Sequence, residues 1–235
     1  MTDRLTIKAL HDDIGITPDV PGYGVAFGAR SKAALFAKLT NTNAPALTAR
    51  DYQNAADRLG VPVGHIKVIR KIEAPRGPFD EQGRPSILYE RHKFRNNTVP
   101  VGRFNKTNPD LSGPMYGAGG YGLFSAQYEK LAAACALDPE AAFRACSWGA
   151  FQVLGENAEA LNYASAYDMA KTLVTGEPAH LDSLIRYVET NHLTDKLRAC
   201  RPHNPSSCQP FVAGYNGPSY RDFHYDTKLA EAIAS

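Results

Sequence analysis

Glu73 is the residue whose surroundings most clearly prepare it for chemistry. It ends the apolar run of residues 63–72 and stands before Ala74-Pro75-Arg76-Gly77-Pro78, which cannot continue a helix. A carboxyl group leaving an apolar helix at the mouth of a loop is poorly solvated on one side. Poor solvation penalises the charged form and raises the pKa, the adjustment a general acid needs near neutral pH. A second carboxyl, Glu90, follows the strand-like Ile87-Leu88-Tyr89 and is the first choice for a stabiliser of positive charge or a base. The competing reading pairs Glu90 with Arg91 or His92 as a brace for the preceding hairpin. Asp80 and Glu81, near the hairpin tip, read as solvated.

Two later segments fit the same site, Ser147-Trp148-Gly149-Ala150-Phe151-Gln152 and Ala213-Gly214-Tyr215-Asn216-Gly217. Taken in order with Glu73 and the string Gly83-Arg84-Pro85-Ser86-Ile87-Leu88-Tyr89-Glu90-Arg91-His92-Lys93-Phe94, they resemble the lysozyme-like superfamily. The resemblance is greatest to the N-acetylmuramidase domain of phage endolysins and extends over nearly all of residues 46–235. It implies that Glu73 donates a proton to a glycosidic oxygen, with Ala74 standing where the family usually has Ser. Gly149 and Gln152 match the Gly-x-x-Gln element, which implies close approach of backbone to a sugar and an amide able to bond an N-acetyl group. Tyr215 and Asn216 match the closing Tyr-Asn element. They imply a Tyr215 hydrogen bond near Glu73, against the alternative of a satisfied core tyrosine. Tyr89 joins them as a candidate for substrate binding, and Trp148 reads as core packing ahead of sugar stacking. Such chemistry needs a proton for the leaving oxygen and stabilisation of an oxocarbenium-like centre, which Glu73 and Glu90 would divide between them.

The elements that must position these residues are mostly helical. Thr48, three residues before Asp51, forms a capping-box signal for a helix that stops at Gly60, and Pro62 opens the helix delivering Glu73. Residues 79–89 suggest a small hairpin turning at Asp80 and Gly83. Residues 96–122, rich in Gly, Pro and Asn, read as a long loop lining a groove. Beyond Ser125 the pattern is helical almost to the end, with caps at Asp138-Pro139 and at Ser165 with Asp168. Gly176 is a stop, and further helices run from Glu177 to about Asn191 and from about Asp226 to Ala234. The expected fold class is mostly α, an α+β lysozyme-like domain with a small β-hairpin.

The first forty residues read as a separate helical pair. Ile7-Lys8-Ala9-Leu10 with Phe27-Gly28-Ala29-Arg30-Ser31-Lys32-Ala33-Ala34-Leu35 resembles the small helical peptidoglycan-binding domain, although His11 replaces its usual Gln. The expected division is a binding-like module over residues 1–42, a linker at 43–46 within a polar stretch beginning at Thr40, and a catalytic domain over 47–235. The alternative is a helical hairpin packed on the main domain.

Composition bounds the rest. A chain of 235 residues that is 43% hydrophobic and 21% charged has the makings of a globular core, and a net charge of +2 gives no argument for nucleic acid. Between Lys67 and Lys106, however, ten basic residues face four acidic ones. That excess is either a solvated face or an attraction to an acidic polymer, as peptidoglycan and the anionic envelope are. No apolar stretch is long enough for a membrane span, so no stable membrane insertion is expected. Met1-Thr2-Asp3-Arg4 leads into a polar helical segment, so no signal peptide is expected. Synthesis would take place in the host cytoplasm, with the wall reached after the inner membrane opens. Cys135 and Cys146 read as buried thiols in helical surroundings. Cys200 and Cys208 flank a turn-rich loop and would form a disulfide or remain two free thiols. A zinc site at Cys200, His203 and Cys208 lacks a fourth ligand, and no cofactor is expected.

The function expected is that of a monomeric peptidoglycan hydrolase of the endolysin kind. It would act on glycan strands between N-acetylmuramic acid and N-acetylglucosamine. The alternatives are a lytic transglycosylase using the same glutamate and a non-catalytic wall-binding part of a phage particle.

Overall fold

In the computed structural model, which describes residues 4–74, 77–114 and 121–234, two short helices come first, α1 (Ile7–Asp13) and α2 (Ala29–Lys38). Helix α3 (Ala49–Leu59) starts as its capping box predicts. Thr48 Oγ1 accepts from the Asp51 N–H at 3.2 Å while the Asp51 carboxylate accepts from the Thr48 N–H at 2.8 Å. Two donors that a helix start leaves unpaired are satisfied together. Gly60 ends α3 at φ 62°, a left-handed cap suited to glycine. Pro62 then precedes α4 (Val63–Glu73), which buries His65, Ile66, Val68 and Ile69 and has Glu73 as its last residue. Pro75 and Arg76 lie outside the described residues, as do residues 1–3 and residues 115–120 of the expected groove loop.

The sheet differs from the expected hairpin. Residues 79–85 do form a tight turn, closed by a single bridge between Phe79 and Pro85. Strand β1 (Ile87–Tyr89) finds its partner far along the chain, in β2 (Cys146–Trp148), which pairs in turn with β3 (Val153–Leu154). Both pairings are antiparallel, with Leu88 opposite Ser147 and Ser147 opposite Leu154. Cys146, expected in a helical setting, is therefore a strand residue. Glu90, expected on a strand, is the cap residue of a helix, α5 (Arg91–Asn97). Helix α5 carries little apolar periodicity because Phe94 is its one buried residue, so nothing in its pattern marks it as a helix. Residues 98–100 bend, and 101–107 run through consecutive turns.

The remaining helices are α6 (Gln127–Cys135), α7 (Pro139–Arg144), α8 (Ala166–Leu173), α9 (Glu177–Thr190), α10 (Thr194–Ala199), α11 (Pro205–Tyr215) and α12 (Tyr225–Ala234). Asp138 and Ser165 cap α7 and α8 through their side chains. Gly176, expected as a stop, instead precedes α9. Cys200 and Cys208 are buried free thiols beside α10 and α11. Contact between them pulls Cys208 down to about 7 and pushes Cys200 above its ordinary range.

One hydrophobic cluster runs from Leu10, Leu35 and Leu39 through Trp148 and Phe143 to Phe211 and Leu229. The N-terminal helices are joined to the rest by polar contacts as well. Arg4 pairs with Asp138 at 2.5 Å, Asp13 with Lys171 at 3.0 Å, and Arg84 lies over the ring of Phe36 at 4.8 Å. The stretch 40–47 is bonded to its surroundings too, through Asn41 to Gly83 and through Pro45 to Glu177.

Candidate active site

Antiparallel pairing decides which strand residues can meet a substrate, because side chains alternate between the faces of a strand. The register puts Leu88, Ser147 and Leu154 on one face, and these three line a cleft of about 680 Å³. Ile87, Tyr89, Cys146 and Trp148 fall on the other face and are buried in the core. Trp148 thus packs, stacked on Phe143 at 5.8 Å. Tyr89 is likewise withdrawn from the cleft. Its hydroxyl donates to the Leu111 carbonyl at 2.9 Å, so the expected contact with substrate is not formed.

Glu73 lines the cleft from the end of α4. Its other side shares a small cavity with Ile69, Ile72, Phe211, Val212 and Leu229. Burial of the carboxyl among these groups pushes its pKa up to about 7, although a hydrogen bond from Asn216 Nδ2 to Glu73 Oε1 at 2.8 Å works in the opposite direction. The position at a helix C-terminus adds to the upward push, since unpaired carbonyls there disfavour negative charge. Asn216 caps the C-terminus of α11, so two helix ends meet at the acid. The expected Tyr215 bond to this carboxyl is absent. Tyr215 donates instead to the Phe151 carbonyl at 2.6 Å and stacks on Phe211 at 5.5 Å, while Asn216 makes the contact with Glu73.

Glu90 lines the same cleft from the sheet side. Its N–H donates to the Ala145 carbonyl at 2.9 Å, which extends the β1–β2 ladder and brings its carboxylate to Ser147. Ser147 Oγ donates to Glu90 Oε1 at 3.0 Å, and His92 Nε2 lies 3.6 Å from Glu90 Oε2. Burial raises the Glu90 pKa, whereas the Ser147 hydroxyl and the nearby Lys93 draw it down. Glu90 faces the cleft and also touches His92.

Gln152 lines the cleft with its amide nitrogen spent on the Gly149 and Ser86 carbonyls, at 2.9 and 3.4 Å. Gly149 is buried and is not in the cleft wall. Its glycine is required from behind. At φ +71° an added Cβ would lie 2.7 Å from His180 Nδ1. His180 is fixed there because its Nδ1 accepts from the Ala150 N–H at 2.9 Å, which leaves Nε2 to donate to the Leu173 carbonyl at 2.8 Å. Burial holds this histidine neutral, with its pKa lowered to about 4. Gly149 thus shapes the turn that presents Gln152.

Sequence reasoning missed His92, Lys93, Glu156 and Asn157 at the polar end of the cleft, and Tyr187, Phe223 and Tyr225 at its aromatic end. The aromatic residues follow helical or loop spacing and form no motif. Phe223, 55% exposed eight residues beyond Tyr215, was the one signal open to sequence inspection, as a bulky apolar residue in polar company. Among the described residues no group of three or more His, Cys, Asp or Glu is arranged to hold a metal ion.

The family model described as Muramidase, N-acetylmuramidase, matches residues 62–235. The crystal structure of an endolysin from Burkholderia AP3 phage is similar along almost the whole length. It has 26% identical residues and a TM-score of 0.69, covering 99% of this chain and 96% of that one. No curated protein matches the chain.

Proposed function

The chain belongs to the N-acetylmuramidase family, a peptidoglycan hydrolase of the lysozyme type, and on that premise we propose that Glu73 is its general acid and that the bond cut joins N-acetylmuramic acid to N-acetylglucosamine. The observation that carries the proposal is a carboxyl lifted to about 7 by burial, held by Asn216 and lining a cleft of about 680 Å³. Near neutral pH such a group retains a transferable proton. Protonated Glu73 donates to the leaving glycosidic oxygen as the bond lengthens. Glu90 in its ionised form, which Ser147 and Lys93 favour against the net upward push of burial, stabilises the positive charge developing on the sugar ring or takes a proton from the attacking water. Gln152, Tyr215 and Asn216 line the sugar-binding walls, with the aromatic rings of Tyr187, Phe223 and Tyr225 offering faces to the glycan.

Mass spectrometry of sugars released from purified peptidoglycan tests the bond and the reaction together. Reducing-end muramic acid is the expected product. Reducing-end glucosamine would move the cut to the other linkage, and a 1,6-anhydro sugar would make the chain a lytic transglycosylase.

The biological role proposed is that of a phage endolysin, by likeness to the Burkholderia phage protein. Residues 1–42 are proposed to add affinity for the wall. Because Leu10, Leu35 and Leu39 share the common core, the test uses the full chain. Tyr23→Ala with Val25→Ser should lower retention on insoluble peptidoglycan while cleavage of soluble fragments persists. Unchanged retention would count against a binding role for this segment.

A further inference from the structure

Residues 91–109 contain five Arg or Lys and no Asp or Glu. Two of these cations are committed within the fold. Arg91 donates to the Pro109 and Pro114 carbonyls, both at 3.1 Å, and Lys93 is paired with Glu156 at 2.6 Å. The other three have no carboxylate partner among the described residues. Arg95 reaches the side chain of its neighbour Asn96, Arg103 lies over the ring of Phe104, and Lys106 has no bonded partner among the described residues.

The same short segment displays two apolar side chains to water. Val99 is 68% exposed and Val101 is 60% exposed. They sit on a turn that is held in shape. Thr98 is buried, its hydroxyl donates to the Arg95 carbonyl at 2.9 Å, and the Gly102 N–H returns to the same carbonyl at 3.0 Å. On the far side Phe104 stacks on the buried Phe94 at 6.0 Å. Folding therefore fixes a turn that leaves two valines in water beside three unpaired cations, although burying a valine would be favourable.

We propose that this turn is a peripheral docking point for an anionic lipid surface. The occupant follows from the two kinds of group being present together. An anionic polymer such as a glycan or nucleic acid would reward the cations and leave the valines hydrated. A membrane bearing anionic headgroups supplies phosphates at the level of Arg95, Arg103 and Lys106 and an apolar layer just beneath for Val99 and Val101. The contact is shallow and reversible, since two valines and three cations are fewer than permanent anchoring takes. No helix among the described residues is long and apolar enough to cross a membrane. The docking point lies at the C-terminal end of α5, whose other end contributes His92 and Lys93 to the cleft. An enzyme resting on a membrane through this turn would thus keep the site of the proposed hydrolysis attached to the same helix.

The test is co-sedimentation of the full chain with vesicles of phosphatidylglycerol and phosphatidylethanolamine, with pure phosphatidylcholine vesicles as the reference. Binding is expected to the anionic vesicles and not to phosphatidylcholine. Arg95→Gln with Arg103→Gln and Lys106→Gln should weaken partitioning by about tenfold or more. Val99→Ser with Val101→Ser should weaken it by about fivefold. Leu123→Ser, at an exposed apolar residue outside this turn, should leave it unchanged. Hydrolysis of soluble glycan fragments should be the same in all these variants, so failure here is separable from failure of the catalytic proposal. Absence of binding to anionic vesicles overturns the inference. So does a valine pair that binds like the unaltered chain while the charge variant does not, because the surface would then be one for anionic polymers.

Discussion

The two walls of the cleft carry one carboxyl each, and they treat it differently. On the helical wall Glu73 sits where α4 and α11 end together, backed by Ile69, Ile72 and Phe211, with one hydrogen bond from Asn216. On the sheet wall Glu90 continues the β1–β2 ladder and meets a hydroxyl, an imidazole and a nearby ammonium. Both carboxyls are desolvated and both pKa values are raised; one group, Asn216, favours charged Glu73, while two, Ser147 and Lys93, favour charged Glu90 and Glu156 opposes them. Helix ends against an apolar core suit the proton donor proposed for Glu73, and the polar neighbours of Glu90 suit the carboxylate proposed there. Burial thus pushes both carboxyls towards protonation, and the sheet wall opposes that push with more groups than the helical wall does.

The sharpest break of this comparison removes the donor alone. Glu73→Gln keeps the side-chain shape and its acceptor for Asn216 but carries no transferable proton. Turbidity loss of permeabilised bacteria should slow by about 10²–10⁴-fold with an unchanged circular dichroism spectrum. Near-normal lysis by the folded variant would remove Glu73 from the chemistry. Glu90→Ala should cost less, on the order of 10²-fold in kcat with KM little changed, as expected for a group acting on charge in the transition state. If KM rises while kcat holds, Glu90 binds substrate and does not catalyse.

How much of this asymmetry was legible beforehand differs between the walls. On the helical wall the bounds of α3 and α4 could be read, though not the Asn216 contact. Thr48, Gly60 and Pro62 set boundaries by local hydrogen bonding and backbone preference, and those boundaries deliver Glu73 to the helix end. The sheet wall could not be read. Its strands are two or three residues long, and β1 pairs with a segment nearly sixty residues away. Periodicity needs a longer window, and the pairing rests on tertiary contacts that no local pattern encodes. Tyr89 shows the consequence, since it adjoins Glu90 in the chain while the β1 register turns its side chain into the core. Gly149 shows another. Its spacing to Gln152 was read correctly, while the reason for glycine lies in His180, thirty-one residues onward.

Stability against pH gives a smaller effect that depends on Glu73 alone. Its pKa rises from an ordinary 4.5 to about 7 on folding, so the ionised form is disfavoured in the native state. The native state therefore bears no penalty below about pH 4.5, a growing one up to about pH 7, and the full one above. Glutamine escapes it. Glu73→Gln should stabilise the fold by up to about 3 kcal/mol at pH 8 and by little near pH 4.5. Thermal melts at the two pH values would expose a burial effect that activity alone hides. An equal gain at both would mean that the carboxyl is not desolvated as described.

The finest test uses the hydrogen-bond donor on each wall. Asn216 stabilises ionised Glu73 and Ser147 stabilises ionised Glu90, so removing either donor should raise the pKa of its own carboxyl. The consequences for kcat/KM fall on opposite limbs of the pH profile. Activity requires Glu73 protonated, so Asn216→Leu should carry the alkaline limb to higher pH and widen the profile. On the roles proposed, activity also requires Glu90 ionised, so Ser147→Ala should carry the acidic limb to higher pH and narrow it. Because Lys93 also lowers the Glu90 pKa and Glu156 raises it, the Ser147 displacement should be the weaker of the two. Two removals of the same kind, a single donor from a single carboxyl, would then act in opposite senses on the width of one curve. Movement of the alkaline limb in Ser147→Ala, or of the acidic limb in Asn216→Leu, would exchange the roles assigned to the two walls.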